Sequence, residues 1–167
     1  MSLIFKKATE SDIPSIVELT NKIWRIHYPS IISAEQIDYM LERMYASESI
    51  QQQMNEGHKF TIVYIDEKAV GYAAMSKKEG RCFLHKFYID TDIHRNGIGK
   101  ALYENLISTI DSTESVELTV NRQNFKAINF YFKMGFTIDR IADFDIGKDY
   151  FMNDFVMIRK VKKSTIF

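Results

Sequence analysis

The stretch Ile93-His94-Arg95-Asn96-Gly97-Ile98-Gly99-Lys100 constrains the fold more than any other, because it joins a β-rich run to a segment whose apolar residues recur at helical spacing. Arg81 to Ile89 before it reads as a strand, and Ile98, Leu102, Leu106 and Ile110 behind it form one stripe. A strand that turns on glycine into an amphipathic helix must lay that stripe on a sheet, which commits the chain to an α/β layer. Glycine at such a turn lets the backbone approach a ligand with no Cβ in the way. The first turn of a helix also presents unpaired N–H groups and the positive end of its dipole, roughly half a unit charge, so backbone alone can hold a pyrophosphate there. A dinucleotide-binding fingerprint requires a third small residue where Leu102 stands, and a Walker loop requires Gly-Lys-Ser/Thr after four intervening residues. Neither pattern is met, and the glycines by themselves are also consistent with a plain tight turn.

The remaining elements read as mixed α/β. Leu3-Ile4-Phe5 is a short strand, and Ser11 is placed to cap a helix with Asp12 and Pro14 in its first turn. Ile13, Ile16, Val17, Leu19, Ile23 and Trp24 keep helical spacing until Pro29, which leaves His27-Tyr28-Pro29 as a loop. Ser33 opens a second helix on Ile37, Met40, Leu41 and Met44, and a third through Ile50 and Met54 ends at Gly57. Phe60 to Ile65 and Ala69 to Met75 flank the turn Asp66-Glu67-Lys68 as a hairpin, Val116 to Val120 is a further strand, and β segments near Phe136–Ile141 and Asp154–Val161 close the chain. The expected architecture is α/β with one central mixed sheet of about six to seven strands flanked by helices. No repeat, low-complexity tract or Pro/Gly-rich linker marks a boundary, so residues 1–167 are read as a single domain.

Lys plus Arg total 22 and Asp plus Glu total 22, so no overall field draws the chain to nucleic acid or to an anionic membrane. No N-terminal apolar run resembles a signal peptide, and no stretch approaches the roughly 18 apolar residues of a membrane span. The lone Cys82 cannot form an internal disulfide. These features point to a soluble, cytoplasmic protein. His27, His58, His85 and His94 with one cysteine give no metal-ligand spacing, so no metal is expected.

Directly after the strand at Val116–Val120 comes a second motif, Asn121-Arg122-Gln123-Asn124-Phe125-Lys126-Ala127-Ile128-Asn129-Phe130-Tyr131-Phe132-Lys133-Met134-Gly135-Phe136. Together the two motifs resemble the GNAT superfamily of N-acetyltransferases. There an Arg/Gln-x-x-Gly-x-Gly/Ala turn binds the CoA pyrophosphate, and an Asn-x-x-Ala-x-x-Phe-Tyr-x-x-x-Gly-Phe helix follows. Gly97 to Leu102 match the first pattern, and Asn124, Ala127, Phe130, Tyr131, Gly135 and Phe136 match the second in order and spacing. The chain departs from the family at His94, where Arg or Gln is usual, although Arg95 stands beside it.

The resemblance implies acetyl-CoA as co-substrate, held by His94, Arg95, Asn96, Gly97, Ile98, Gly99 and Lys100, with Tyr88 and Ile89 along the pantetheine path and Asn124, Tyr131 and Lys133 near the cofactor. Tyr131 stands where the family commonly has its general-acid tyrosine; the alternative is a helix tyrosine packed in the core. Asn124 can at once cap its helix, and Lys133 can instead face solvent only.

A primary amine is about 99.9% protonated at pH 7, so something must take its proton. His85, on the strand before the glycine turn, is the candidate base, set against a strand histidine with no catalytic part. With no Gly-x-Ser-x-Gly nucleophile turn in the chain, direct transfer without a covalent enzyme intermediate is expected. Trp24, His27 and Tyr28, with Ile31 and Ile32 after them, look similar to bacterial polyamine-type acetyltransferases. They nominate a small-amine substrate site, with late loops from Ile141 to Met152 as the other specificity segment. Asp143, Asp145, Asp149 and Asp154 either attract a cationic amine or are simply solvated. A protein N-terminus or lysine as acceptor, and a CoA-binding sensor without turnover, stay open. Members of the family often pair through their last strands, so a homodimer is open too.

Overall fold

A computed structural model describes residues 2–93, 97–111 and 114–160. Seven strands form one sheet in the order β1-β2-β3-β4-β5-β7-β6. They are β1 (Leu3–Lys7), β2 (Lys59–Ile65), β3 (Lys68–Lys78), β4 (Arg81–Ile89), β5 (Ser115–Asn121), β6 (Thr137–Gly147) and β7 (Tyr150–Arg159). The helices are α1 (Ile13–His27), α2 (Ala34–Tyr45), α3 (Ser47–Asn55), α4 (Ile98–Ile107) and α5 (Phe125–Lys133). The mixed α/β class and the strand number agree with the sequence. The residues pack as two compact units, one of Met1–Ser76 with Lys86–Thr109, the other of Lys77–His85 with Ile110–Phe167.

In the first unit β1, β2 and β3 are antiparallel neighbours. The β2–β3 turn places Asp66 and Glu67 at φ 46° and 65°, the left-handed pair that a two-residue hairpin of the favoured hand requires. Ile16, Leu19, Ile23 and Trp24 of α1, Ile37 and Leu41 of α2 and Ile50 of α3 are buried, as are Phe60, Ile62, Val63 and Tyr72 of the strands. Two expectations are corrected here. Ser11 does not cap α1, because the Asp12 carboxylate accepts the Thr9 N–H at 2.8 Å and closes a short 3-10 turn first, so α1 begins at Ile13. Tyr28–Ser30 is also a 3-10 turn and no open loop, since the N–H groups of Ile31 and Ile32 both reach the Tyr28 carbonyl, at 2.8 and 3.0 Å. Ser33 does cap α2, accepting the Gln36 N–H at 3.1 Å, and Gly57 at φ 97° ends α3 with His58 N–H donating to the Gln53 carbonyl at 3.0 Å.

In the second unit the first residues of β4 pair in parallel with β5 over three positions, Arg81↔Ser115 to Phe83↔Glu117. β7 lies antiparallel between β5 and β6. The region read as late loops is a strand hairpin: β6 runs to Gly147 and β7 starts at Tyr150, turning on Lys148 and Asp149 at φ 50° and 61°. β6 lies at the end of the sheet order and is exposed along most of its length; register shifts at Ile138/Arg140 and Asp145/Gly147 confine its regular apolar–polar alternation to the short run Ala142-Asp143-Phe144-Asp145-Ile146. Ile110 falls beyond α4, which ends where Ser108 and Thr109 turn their hydroxyls onto the carbonyls of Asn105 and Leu106. Cys82 is buried, its thiol donates to Glu114 at 3.2 Å, and burial pushes it up to about 11, which makes it an inert structural thiol.

Candidate active site

In the first unit β4 ends at Ile89, and the chain reaches α4 through Gly97 in the left-handed conformation, φ 71° and ψ 8°. Among the described residues nothing stands within 4 Å of where a Cβ on Gly97 would lie. Its carbonyl takes the Ala101 N–H at 3.0 Å, which starts the helical ladder and leaves the N–H groups of Ile98, Gly99 and Lys100 without partners inside the helix. Ile98 is buried while Lys100 is exposed and pairs loosely with Glu104 at 3.7 Å. Such an arrangement can hold an anion through backbone alone. His94, Arg95 and Asn96 lie outside the described residues.

The end of β4 is held rigidly from two sides. Asp90, 1% exposed, accepts from Lys22 of α1 at 2.8 Å, and the same ammonium reaches Asp92 at 2.6 Å. Gly71 of β3 is indispensable in a different way: a Cβ there would lie 2.6 Å from Ile89 Cδ1 and 2.7 Å from the Tyr88 carbonyl oxygen. Sequence reading missed Lys22 and Asp90, which act across 68 residues and leave no local signal.

Trp24, Tyr28, Tyr45, Tyr72 and Tyr88 form an aromatic cluster in this unit. Trp24 stacks on Tyr28 with centroids 4.2 Å apart and meets Tyr45 at 5.1 Å, His27 lies edge-on to Tyr28 at 5.0 Å, and the hydroxyls of Tyr45 and Tyr88 are 2.6 Å apart. So the three nominated substrate residues do lie together, although Trp24 is 2% exposed and forms a wall of the cluster. Its indole Nε1 is buried and, among the described residues, has no hydrogen-bond partner. Lys86 of β4 points into this cluster with its Nζ 4.6 Å from the Tyr45 ring centre, and burial lowers it to about 8. The sequence does carry a signal for Lys86, because it alternates with Leu84 and Tyr88 on one strand face.

In the second unit α5 carries the other nominated residues. Asn124 caps it, its side-chain oxygen accepting the Ala127 N–H at 3.3 Å, and is buried. Tyr131 is 8% exposed, with its ring 5.7 Å from that of Phe136. Lys133 is exposed in the last turn. His85 is exposed on β4, its ring near that of Phe83 at 6.2 Å. Strand register puts Phe83 and His85 on the same sheet face as Glu117, Thr119 and Asn121 of β5 and Asp154 of β7. Glu117 faces Arg81 at 4.0 Å and Arg140 at 3.8 Å, whereas Asp154 is buried and takes a hydrogen bond from Thr119. Among the described residues no group of three or more His, Cys, Asp and Glu side chains could hold a metal ion, and no helix is long and apolar enough to cross a membrane.

The acetyltransferase (GNAT) domain family matches residues 30–142. A spermidine N(1)-acetyltransferase of Thermoplasma acidophilum is 25% identical over 159 residues, covering 90% of this chain and 99% of the relative. A peptidyl-lysine N-acetyltransferase, YjaB of Salmonella typhimurium, is 29% identical over 96 residues, 57% of this chain and 61% of its own. Among solved structures, the PaiA N-acetyltransferase of Thermoplasma acidophilum in complex with coenzyme A superposes with a TM-score of 0.80 at 24% identity, over 96% of this chain and 99% of that one.

Proposed function

The chain belongs to the GNAT family of acetyl-CoA-dependent N-acetyltransferases, and we propose that it moves the acetyl group directly onto a primary amine of a small polyamine in the cytoplasm. The observation that carries the cofactor half is the start of α4, where among the described residues nothing stands over Gly97 and the N–H groups of Ile98, Gly99 and Lys100 have no partner within the helix. Ile98, Gly99 and Lys100 bind the pyrophosphate through backbone, flanked by His94, Arg95 and Asn96. The backbone of Tyr88 and Ile89 carries the pantetheine arm. Asn124 and Lys133 serve the cofactor, and Tyr131 protonates the departing thiolate. The amine gives up its proton to the polar face on which His85 stands.

Support for a small polyamine comes from the spermidine acetyltransferase, which aligns along almost its whole length, including parts of this chain outside the family match. Trp24, His27 and Tyr28 sit in an aromatic cluster of the kind that receives alkylammonium groups. In the second unit the β6–β7 hairpin carries the exposed carboxylates Asp143, Asp145 and Asp149, of which Asp143 pairs with Arg122 at 2.9 Å. A lysine side chain on a protein is the second reading, favoured by the similarity to YjaB over a shorter span. Rapid mixing tests direct transfer: acetylated amine should form with no acetyl-enzyme preceding it. An acetyl-enzyme that passes its group to the amine would overturn that step, and acetyl-CoA binding with no CoA release for any amine would mark a sensor.

A further inference from the structure

Asp154 is a carboxylate that the fold buries. It lies on β7 opposite Asn121 and is 5% exposed, and among the described residues no cationic side chain bridges to it. Arg122 is close, but its guanidinium is spent on Asp143 at 2.9 Å and on the backbone carbonyl of Asp154 at 3.2 Å. What reaches the carboxylate is the hydroxyl of Thr119, a residue that is itself exposed. A purely structural site would be better served by a neutral asparagine, because a buried carboxylate without a cation is costly.

The location is as informative as the burial. Phe83 of β4 pairs with Glu117 of β5, and alternation along the two strands puts His85 and Thr119, each two residues further on, on that same face, which register continues from Asn121 to Asp154 on β7. Thr119 therefore stands with its hydroxyl between a solvent-accessible face and a buried proton acceptor. We propose that Thr119 and Asp154 form a relay that takes the proton from the acceptor's ammonium group. The Thr119 oxygen accepts an N–H proton from the ammonium while its own proton passes to the Asp154 carboxylate. This leaves the amine neutral, the hydroxyl restored and Asp154 protonated, and Asp154 later returns the proton to solvent. The inference rests on the acetyl-transfer reading above.

Burial pushes Asp154 up to about 6, close to where a base working at neutral pH is most effective. The charged groups around it are Arg122 and Asp143, with His85 on the same face and Glu117, Arg81 and Arg140 further along it. Polyamine acetylation is measured from pH 5.5 to 10 for the wild type, Asp154→Asn, Thr119→Val, Thr119→Ser and His85→Gln, with acetyl-CoA affinity and thermal midpoint alongside. The wild type should show an acid limb near pH 6. Asp154→Asn and Thr119→Val should each lose roughly 100-fold or more at pH 7, and the deficit should shrink as pH approaches the amine's own pKa. Thr119→Ser should exceed Thr119→Val by about tenfold, because it keeps the hydroxyl. Acetyl-CoA affinity should stay unchanged and the midpoint of Asp154→Asn should not fall. Activity of Asp154→Asn within about threefold of wild type at pH 7, or an acid limb removed only by His85→Gln, overturns the relay. No turnover by the wild type with any amine brings down the acetyl-transfer reading and the relay with it; normal turnover in the variants brings down the relay alone.

Discussion

The backbone N–H of Phe136 donates to the carbonyl of Tyr131 at 3.0 Å, across the left-handed Gly135 at φ 92°. Gly135 N–H in turn reaches Phe132 at 3.1 Å, completing a Schellman closure of α5. The spacing Tyr-x-x-x-Gly-Phe thus has a physical cause: it ends the helix one turn after the tyrosine and packs the Phe136 ring 5.7 Å from the Tyr131 ring.

Gly135→Ala should therefore destabilise through backbone strain alone. The Cβ would meet nothing nearer than Arg159 Nε at 3.6 Å, so no clash contributes. A loss of about 1–2 kcal/mol is expected from forcing a side chain into the left-handed region, checked by denaturant unfolding; an unchanged midpoint would contradict this account of the motif.

Tyr131→Phe removes only the hydroxyl. If Tyr131 protonates the leaving thiolate, acetyl transfer should fall by roughly 10²- to 10⁴-fold, with acetyl-CoA affinity and thermal midpoint close to wild type. Steady-state turnover with calorimetric binding checks this. A midpoint that falls while the rate per folded molecule holds would make Tyr131 a packing residue.

Lys86→Met should stabilise the protein at pH 7. The folded ammonium titrates near 8, below its ordinary 10.5, because burial disfavours its charge. Below pH 8 the lysine is charged in both states and the cost is fully present, on the order of 1–3 kcal/mol after the Tyr45 ring offsets part of it. Between 8 and 10.5 the unfolded chain holds more protons, so the stability of the wild type rises with pH and the advantage of the variant shrinks. Melting curves at pH 7 and pH 10 check both signs.

Gly71→Ala should damage stability and cofactor binding together. Its Cβ would press on the Tyr88 carbonyl and Ile89 Cδ1, and backbone cannot yield there without parting β3 from β4. A loss of about 1–3 kcal/mol is the usual scale for such overpacking, and acetyl-CoA affinity should drop with it. Unimpaired binding would show that the Tyr88–Ile89 backbone carries no part of the cofactor.

The features legible in the sequence were those set by local chemistry. The glycine turn, the Ser33 and Asn124 caps, the Gly57 termination and the Asp66-Glu67 hairpin each depend on residues a few positions apart. Lys22–Asp90 and Thr119–Asp154 depend on which strands become neighbours, which no local pattern states. The full length of β6 is hidden because bulges at Ile138/Arg140 and Asp145/Gly147 interrupt its alternation, and the cap of α1 shifts because Asp12 closes a turn on Thr9 before the helix starts.

The most direct test of the central claim is CoA release from acetyl-CoA with polyamines, amino acids, aminoglycosides and lysine-containing peptides offered in parallel. The account predicts thiol release with polyamines at a kcat/KM well above that for any peptide; release with peptides only, or none with any amine, would contradict it.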